Sequence, residues 1–332
     1  MKLLPYSNGL RKVSMKKNRT PKEIAKLILI ILSIIFVIGF VYQKISNFIT
    51  KETLRQRVDY TTVDDRRMDY RLEGEGNYTV VFDGGIGGNL EQWTPVVDEL
   101  SDDNVSTFVY NRRGYGYSDS GPERTPEEQA QDLKILLRKA GAPEPYILVG
   151  EGYGSLVLTS FAEQFKDSVA GVMLINPLDE SYIGSKDYNK KQLITKIRRN
   201  IEKIGSNFGL TELLDKLNLD VSLDYFENSI SGDQLEEFKA QRTKTKYTTA
   251  VYNEMNNLSK GLSSSQNPGV FSGIPYYLMT NSDGEKFKDL GDESLTKIYK
   301  TESETTFSGL NSTESVVNGI RYIVKELQSK QR

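Results

Sequence analysis

The apolar and polar positions of this chain fall into stretches with different periods. Leu27 to Tyr42 reads LILIILSIIFVIGFVY, without a charge. Counted from Ile24, the run has 19 residues, about 28 Å of helix, close to the roughly 30 Å hydrocarbon core of a bilayer. The pattern predicts a basic tail over 1–23, a transmembrane helix over 24–42 and a polar stalk or first edge element over 43–67. From Met68 onward the period changes. Short apolar runs at Tyr78–Phe82, Thr107–Tyr110, Tyr146–Val149, Val169–Ile175 and Ile274–Thr280 read as strands. Amphipathic segments at Gln92–Leu100, Glu127–Ala140 and Tyr153–Gln164 alternate with them, and a last helix is expected over Thr313–Leu327. Alternation of this kind predicts an α/β domain over 68–332, with a mostly parallel sheet covered on both faces. Thr125, followed by Pro126, Glu127 and Glu128, is a strong helix start.

Charge sharpens the reading of the apolar run. Lys2, Arg11, Lys12, Lys16, Lys17, Arg19 and Lys22 precede it against the single acid Glu23, and the flank beyond it is mixed. The bias orients the N-terminus to the cytoplasm and the domain outside. No small-x-small cleavage site follows the run, which favours an uncleaved anchor over a signal peptide. The lipid bilayer is thus one expected partner. A net charge of -2 gives no case for nucleic-acid binding.

Two absences narrow the chemistry. The 332 residues include no cysteine, which removes thiol catalysis and disulfides. They include no histidine either, the usual general base near neutral pH and the commonest metal ligand. No metal or cofactor is expected.

Three stretches in order then carry a resemblance: VVFDGGIGGNLEQWTPVVDELS (Val80–Ser101), FVYNRRGYGYSDSG (Phe108–Gly121) and PYILVGEGYGSLVLTSFAEQFKDSVAGVMLINP (Pro145–Pro177). Together they resemble the α/β-hydrolase superfamily over about a hundred residues. The resemblance implies the α/β-hydrolase fold, a glycine-rich oxyanion loop after the first of these strands, and a nucleophile elbow of the form G-x-S-x-G after the third. It also implies a helical cap, placed here at about 179–270. In that elbow, serine needs a histidine to take its proton and an acid to hold the histidine. This chain reads Gly150, Glu151, Gly152, Tyr153, Gly154, so the turn glycines stand and Gly152 occupies the nucleophile position. Aligning the last helix puts Thr306 or a near neighbour at the base position. Asp283 is the possible remnant acid.

Other residues offer alternatives. Gly84, Gly85, Glu151 and Tyr153 are the candidate ligand-binding set. Glu151 reads either as a polar contact or base, or as a cap for the following helix, which is favoured. Ser155 is a weak substitute nucleophile with no imidazole to serve it. Arg112 and Arg113 are expected to tie loops together, and Trp93 to pack in the core. In the cap, Leu193, Ile197, Ile201 and Ile204 make an apolar stripe beside Lys190, Lys191, Lys196, Arg198, Arg199 and Lys203. That basic surface reads as a solvated face, or as a contact for anionic lipid. Three functions remain: a catalytically silent pseudo-hydrolase binding an unknown ligand or protein partner, an active hydrolase or lyase with a non-standard catalytic set, and a structural envelope protein.

Overall fold

The computed structural model describes residues 20–54, 59–217, 225–261, 265–281, 284–302 and 306–330. Asp283 and most of the basic tail lie outside the described residues.

Helix α1 (Pro21–Leu54) carries the apolar run. Within its Pro21–Ile45 portion the most apolar 18-residue window has a mean hydropathy of 3.0, and none of that window is buried. It is the one described helix long and apolar enough to cross a membrane. The stretch 43–67, expected as a stalk or a first edge element, holds the end of α1 and the first edge of the sheet. The helix continues to Leu54, and a strand hairpin begins at Asp59. In that hairpin β1 (Asp59–Val63) pairs antiparallel with β2 (Arg66–Glu73). Asp64 and Asp65, at φ +46° and +56°, form the two-residue turn, the handedness that matches strand twist. The polar, partly exposed β1 has no apolar alternation, so the sequence left a stalk and an edge element equally open there.

The other strands are β3 (Thr79–Asp83), β4 (Ser106–Tyr110), β5 (Tyr146–Glu151), β6 (Val169–Ile175), β7 (Tyr276–Thr280) and β8 (Thr296–Lys300). They form one sheet in the order β1-β2-β4-β3-β5-β6-β7-β8, parallel from β4 to β8. The five expected strands stand within two residues of their predicted bounds. β3 to β6 are buried on both faces, as continuous apolar runs require. Edge strand β8 (TKIYK) is largely exposed, and its two lysines suit an unpaired edge.

Helices α2 (Thr94–Leu100) and α11 (Thr313–Lys330) cover one face. There Trp93, Val97, Leu100, Val316, Ile320 and Ile323 pack on Phe82, Val149 and Met173. α3 (Pro126–Ala140) and α4 (Tyr153–Gln164) cover the other. α3 starts on the expected cap: Thr125 and Glu128 form a reciprocal capping box. Between β6 and β7 run α5 (Lys186–Ser206), α6 (Leu210–Lys216), α7 (Gly232–Arg242) and α8 (Thr245–Lys260), the helical insertion. Short α9 (Glu285–Lys288) and α10 (Ser308–Asn311) precede β8 and α11. β3 and β5 are parallel neighbours with Asp83 level with Gly150, so the loops that leave them emerge side by side.

Candidate active site and its neighbours

The turn from β5 to α4 holds Gly152 at φ +54°, ψ −114°, a region L side chains rarely enter. The Gly152 N–H donates to the Ile175 carbonyl at 3.1 Å, and Gly154 N–H donates to the Gly84 carbonyl at 3.0 Å. Gly154 has a steric cause. A Cβ there would stand 2.3 Å from the Asp83 carbonyl oxygen, which is fixed backbone. Gly152 differs, because a Cβ there would meet only Gly85 Cα, at 3.6 Å. The tip has room for a side chain and lacks one.

Glu151 sits beside this tip, buried. Its Oε1 accepts from the Ser308 N–H at 2.9 Å and from the Ser308 hydroxyl at 2.8 Å. Its Oε2 accepts from Gln92 Nε2 at 3.1 Å. Burial pushes its carboxyl up to about 7, against the opposing pull of the Ser308 and Gln92 bonds. The expected cap role is therefore corrected. No side chain caps α4, and the carboxylate reaches the loop before α11 instead. Gln92 Oε1 is buried without a partner among the described residues. Turning the amide over would let the Gln92 oxygen accept a hydrogen bond from neutral Glu151, so the orphan oxygen and the raised carboxyl point the same way. The same amide crowds two glycines of the glycine-rich loop after β3: a Cβ at Gly84 or Gly88 would come within 2.4 Å of Gln92 Oε1.

The loop before α11 does reach the elbow, through Ser308 rather than Thr306. Thr306 is exposed. Phe307 turns the chain at φ +54° and packs its ring on Phe226 of the cap. Ser308 follows, fully buried against Glu151. Ser308 lies among the near neighbours expected around Thr306, but its bond to Glu151 was not legible, because only the tertiary fold joins positions 151 and 308.

Arg112 organises the side facing the cap. Its guanidinium donates to the carbonyls of Gly84 (2.8 Å) and Gly85 (3.1 Å), pairs with Asp83, and takes both oxygens of Glu254 on α8 at 2.7 and 3.1 Å. Trans peptide geometry then turns the N–H groups of those two peptides away from Arg112. Burial opposes the arginine's charge, but Asp83 and Glu254 outweigh it and hold the pKa above its usual value. Tyr110 donates to Asp83 and Tyr115 donates to Glu254, both at 2.7 Å. The rings of Tyr115 and Tyr153 each lie 5.1 Å from the guanidinium carbon. Tyr153, from the candidate ligand set, is thus packed beneath Arg112. Gly84 and Gly85 remain partly exposed. A cavity of about 40 Å³ is lined by Arg112, Arg113, Asp132 and Glu254 among others, and Gly152 is not part of its lining. It has room for a few waters.

Arg113 pairs with Asp132 at 2.8 Å and with Asp64, a loop-tying role as expected. Trp93 is core. Ser155 is buried, with its hydroxyl donating to the Gly152 carbonyl (2.6 Å) and accepting from Leu178 N–H (3.2 Å). That hydroxyl braces the turn.

The geometry so far gives a parallel sheet, a strained strand-to-helix elbow, a glycine-rich loop beside it and a cap above. The model of the α/β-hydrolase fold matches residues 78–258, more than half of the chain. The chain belongs to the α/β-hydrolase family. Its match to protein YqjL of Bacillus subtilis (strain 168) is 33% identical over 106 residues, covering 32% of this chain and 42% of that relative. The match thus spans less than half of YqjL. Among solved structures this α/β-hydrolase-fold chain is similar to the Cif epoxide hydrolase from Acinetobacter nosocomialis, with a TM-score of 0.62 and 11% identity over 83% of this chain and 96% of that one. It is similar also to the enol-lactonase from Burkholderia xenovorans LB400, with a TM-score of 0.58 and 17% identity over 80% of this chain and all of that one, 100%. At such identities the likeness is one of fold.

Proposed function

We propose that this is a membrane-anchored α/β-hydrolase-fold protein, silent in hydrolysis, that works by binding a ligand or partner outside the membrane. One observation carries the reading. At the elbow, Gly152 offers no atom to acylate, and the loop where the family keeps its base supplies Ser308, already bonded to Glu151. Loss of a triad serine or histidine alone costs on the order of 10⁶ in turnover. The Arg112–Glu254 pair adds support. A small ligand approaching from that side would part a buried ion pair, whose rupture costs about 3–5 kcal/mol. A partner meeting the outer surface of the cap needs no such opening. The apolar Pro21–Ile45 segment supports the anchor, and the basic residues before it support a cytoplasmic N-terminus.

A second reading has its own support. A carboxyl held near pKa 7 beside an open tip is the kind of group that moves protons, so Glu151 could act as an acid or base in a non-standard hydrolase. The test is turnover of esters, a lactone and an epoxide by the full-length protein beside its Glu151→Gln variant. The silent reading expects no turnover from either. Turnover by the wild type that Glu151→Gln abolishes would replace it with the second. Orientation is read by adding protease to intact cells: the domain should be lost, and full protection would refute the outward placement.

A further inference from the structure

We infer that the cap itself docks on the bilayer, with α5 and α6 lying in the interface beside α1. The inference extends the reading of α1 as a span and rests on it.

Helix α5 is inside out. Leu193, Ile194, Ile197, Ile201 and Ile204 are all exposed, Ile194 at 73%. At about 100° per residue they fall within roughly one 100° arc. Arg199, Glu202 and Ser206 lie on the opposite arc and are buried. Arg199 pairs with Glu202 at 2.8 Å, and the Ser206 hydroxyl meets that of Thr248 on α8 at 2.9 Å. The polar face packs inward and the apolar face looks out. On α6, Leu210, Leu213 and Leu217 at its end are exposed as well, while Thr211 and Glu212 are buried. Eight large aliphatic side chains in one region are far more than a soluble cap leaves bare.

The occupant is set by what this patch adjoins. The turn between α5 and α6 is seated on α1: the Phe208 ring meets Phe36 edge-on at 4.9 Å. Gly39 lets the chains touch, since a Cβ there would stand 2.0 Å from the Phe208 carbonyl oxygen. Six residues further along, the Tyr42 hydroxyl donates to Glu212 at 2.8 Å and accepts from Lys216 at 3.2 Å. Polar contacts at Tyr42 and apolar ones at Phe36 bracket about 9 Å of helix axis. Interfacial helices bury their apolar face about 5–10 Å below the headgroups, the same depth. Lys196 and Arg198 fall on the two borders of the α5 stripe, where anionic headgroups would lie. The cap stripe is therefore continuous with the membrane-crossing surface.

The chain has no cysteine, so single cysteines at Ile201, Leu213, Ile34 and Glu314 can each carry a polarity-sensitive fluorophore. The full-length protein is placed in vesicles of phosphatidylglycerol and phosphatidylethanolamine containing a lipid spin-labelled at a shallow acyl position. Ile201 and Leu213 should be quenched several-fold more than Glu314, and Ile197→Glu should reduce the quenching at Leu213. Quenching at Ile34 alone, with both cap sites like Glu314, overturns the docking and leaves the anchor. A blue shift at Ile201 that grows with protein density and resists lipid quenching also overturns it, in favour of a second copy. Quenching at the cap sites without Ile34 refutes the span, and with it the docking beside α1. No quenching at any site refutes both.

Discussion

Glu151 and Ser308, 157 positions apart, are joined by two hydrogen bonds that tie the elbow of the sheet to the loop before the last helix. This join bridges the turn after β5 and the segment before α11. In an α/β hydrolase those two segments meet through nucleophile and base. Here a buried carboxyl and a serine hold them.

The pH dependence of stability follows. The carboxyl of Glu151 titrates near 7 when folded, above its ordinary 4.5. The folded state thus binds more protons between those values, and its stability is full below about 4.5. It declines through pH 7 by at most roughly 3 kcal/mol. Glu151→Gln should remove that slope. Melting both proteins at pH 5 and pH 8 checks it: the difference between wild type and variant should shift with pH, and a constant difference would refute the raised carboxyl.

Cutting one side of the Arg112 network should be severe. Glu254→Gln leaves a buried guanidinium with Asp83 as its one remaining side-chain anion and should cost about 3–5 kcal/mol. Arg112→Met together with Glu254→Gln should cost less than the two single changes summed. A double-mutant cycle in melting temperature reads that coupling, and strict additivity would mean that the pair is not energetically joined.

Two glycines should respond differently to alanine. Gly154→Ala drives a methyl into the Asp83 carbonyl at 2.3 Å and should prevent folding. Gly141→Ala, at φ +74° in open space, should cost about 1–2 kcal/mol. Expression and melting temperature separate the two, and equal losses would contradict the steric account of the elbow.

Gly152→Ser should fold, since its Cβ meets only Gly85 at a van der Waals distance. The left-handed backbone there adds about 1–3 kcal/mol of strain. Without an imidazole the new hydroxyl should show no acyl burst with activated esters. A burst would mean that a base stands within reach of the tip.

How much of this was readable in the sequence depended on whether a feature was local. Buried strands such as Val169–Ile175 declare themselves as unbroken apolar runs, and the Thr125 capping box sits within four residues. The hairpin of β1 and β2 and the edge strand β8 are half polar and gave no period to read. The elbow glycines Gly150 and Gly154 were legible because a Cβ at either would press on fixed backbone, 2.9 Å from Ser155 Cα and 2.3 Å from the Asp83 carbonyl oxygen. The contacts of Glu151 with Ser308, and of Arg112 with Glu254, span 157 and 142 positions and carry no short-range signal. The α5 stripe was visible as a period, but a period does not say which face turns inward. Only the burial of Arg199 and Glu202 decides that.

The most direct test of catalytic silence is intact mass after reaction with a fluorophosphonate. The full-length protein should keep its mass at saturating probe, as its Ser155→Ala variant does. A saturable adduct of one probe per chain, lost on prior heat denaturation, would show an activated serine and contradict the account.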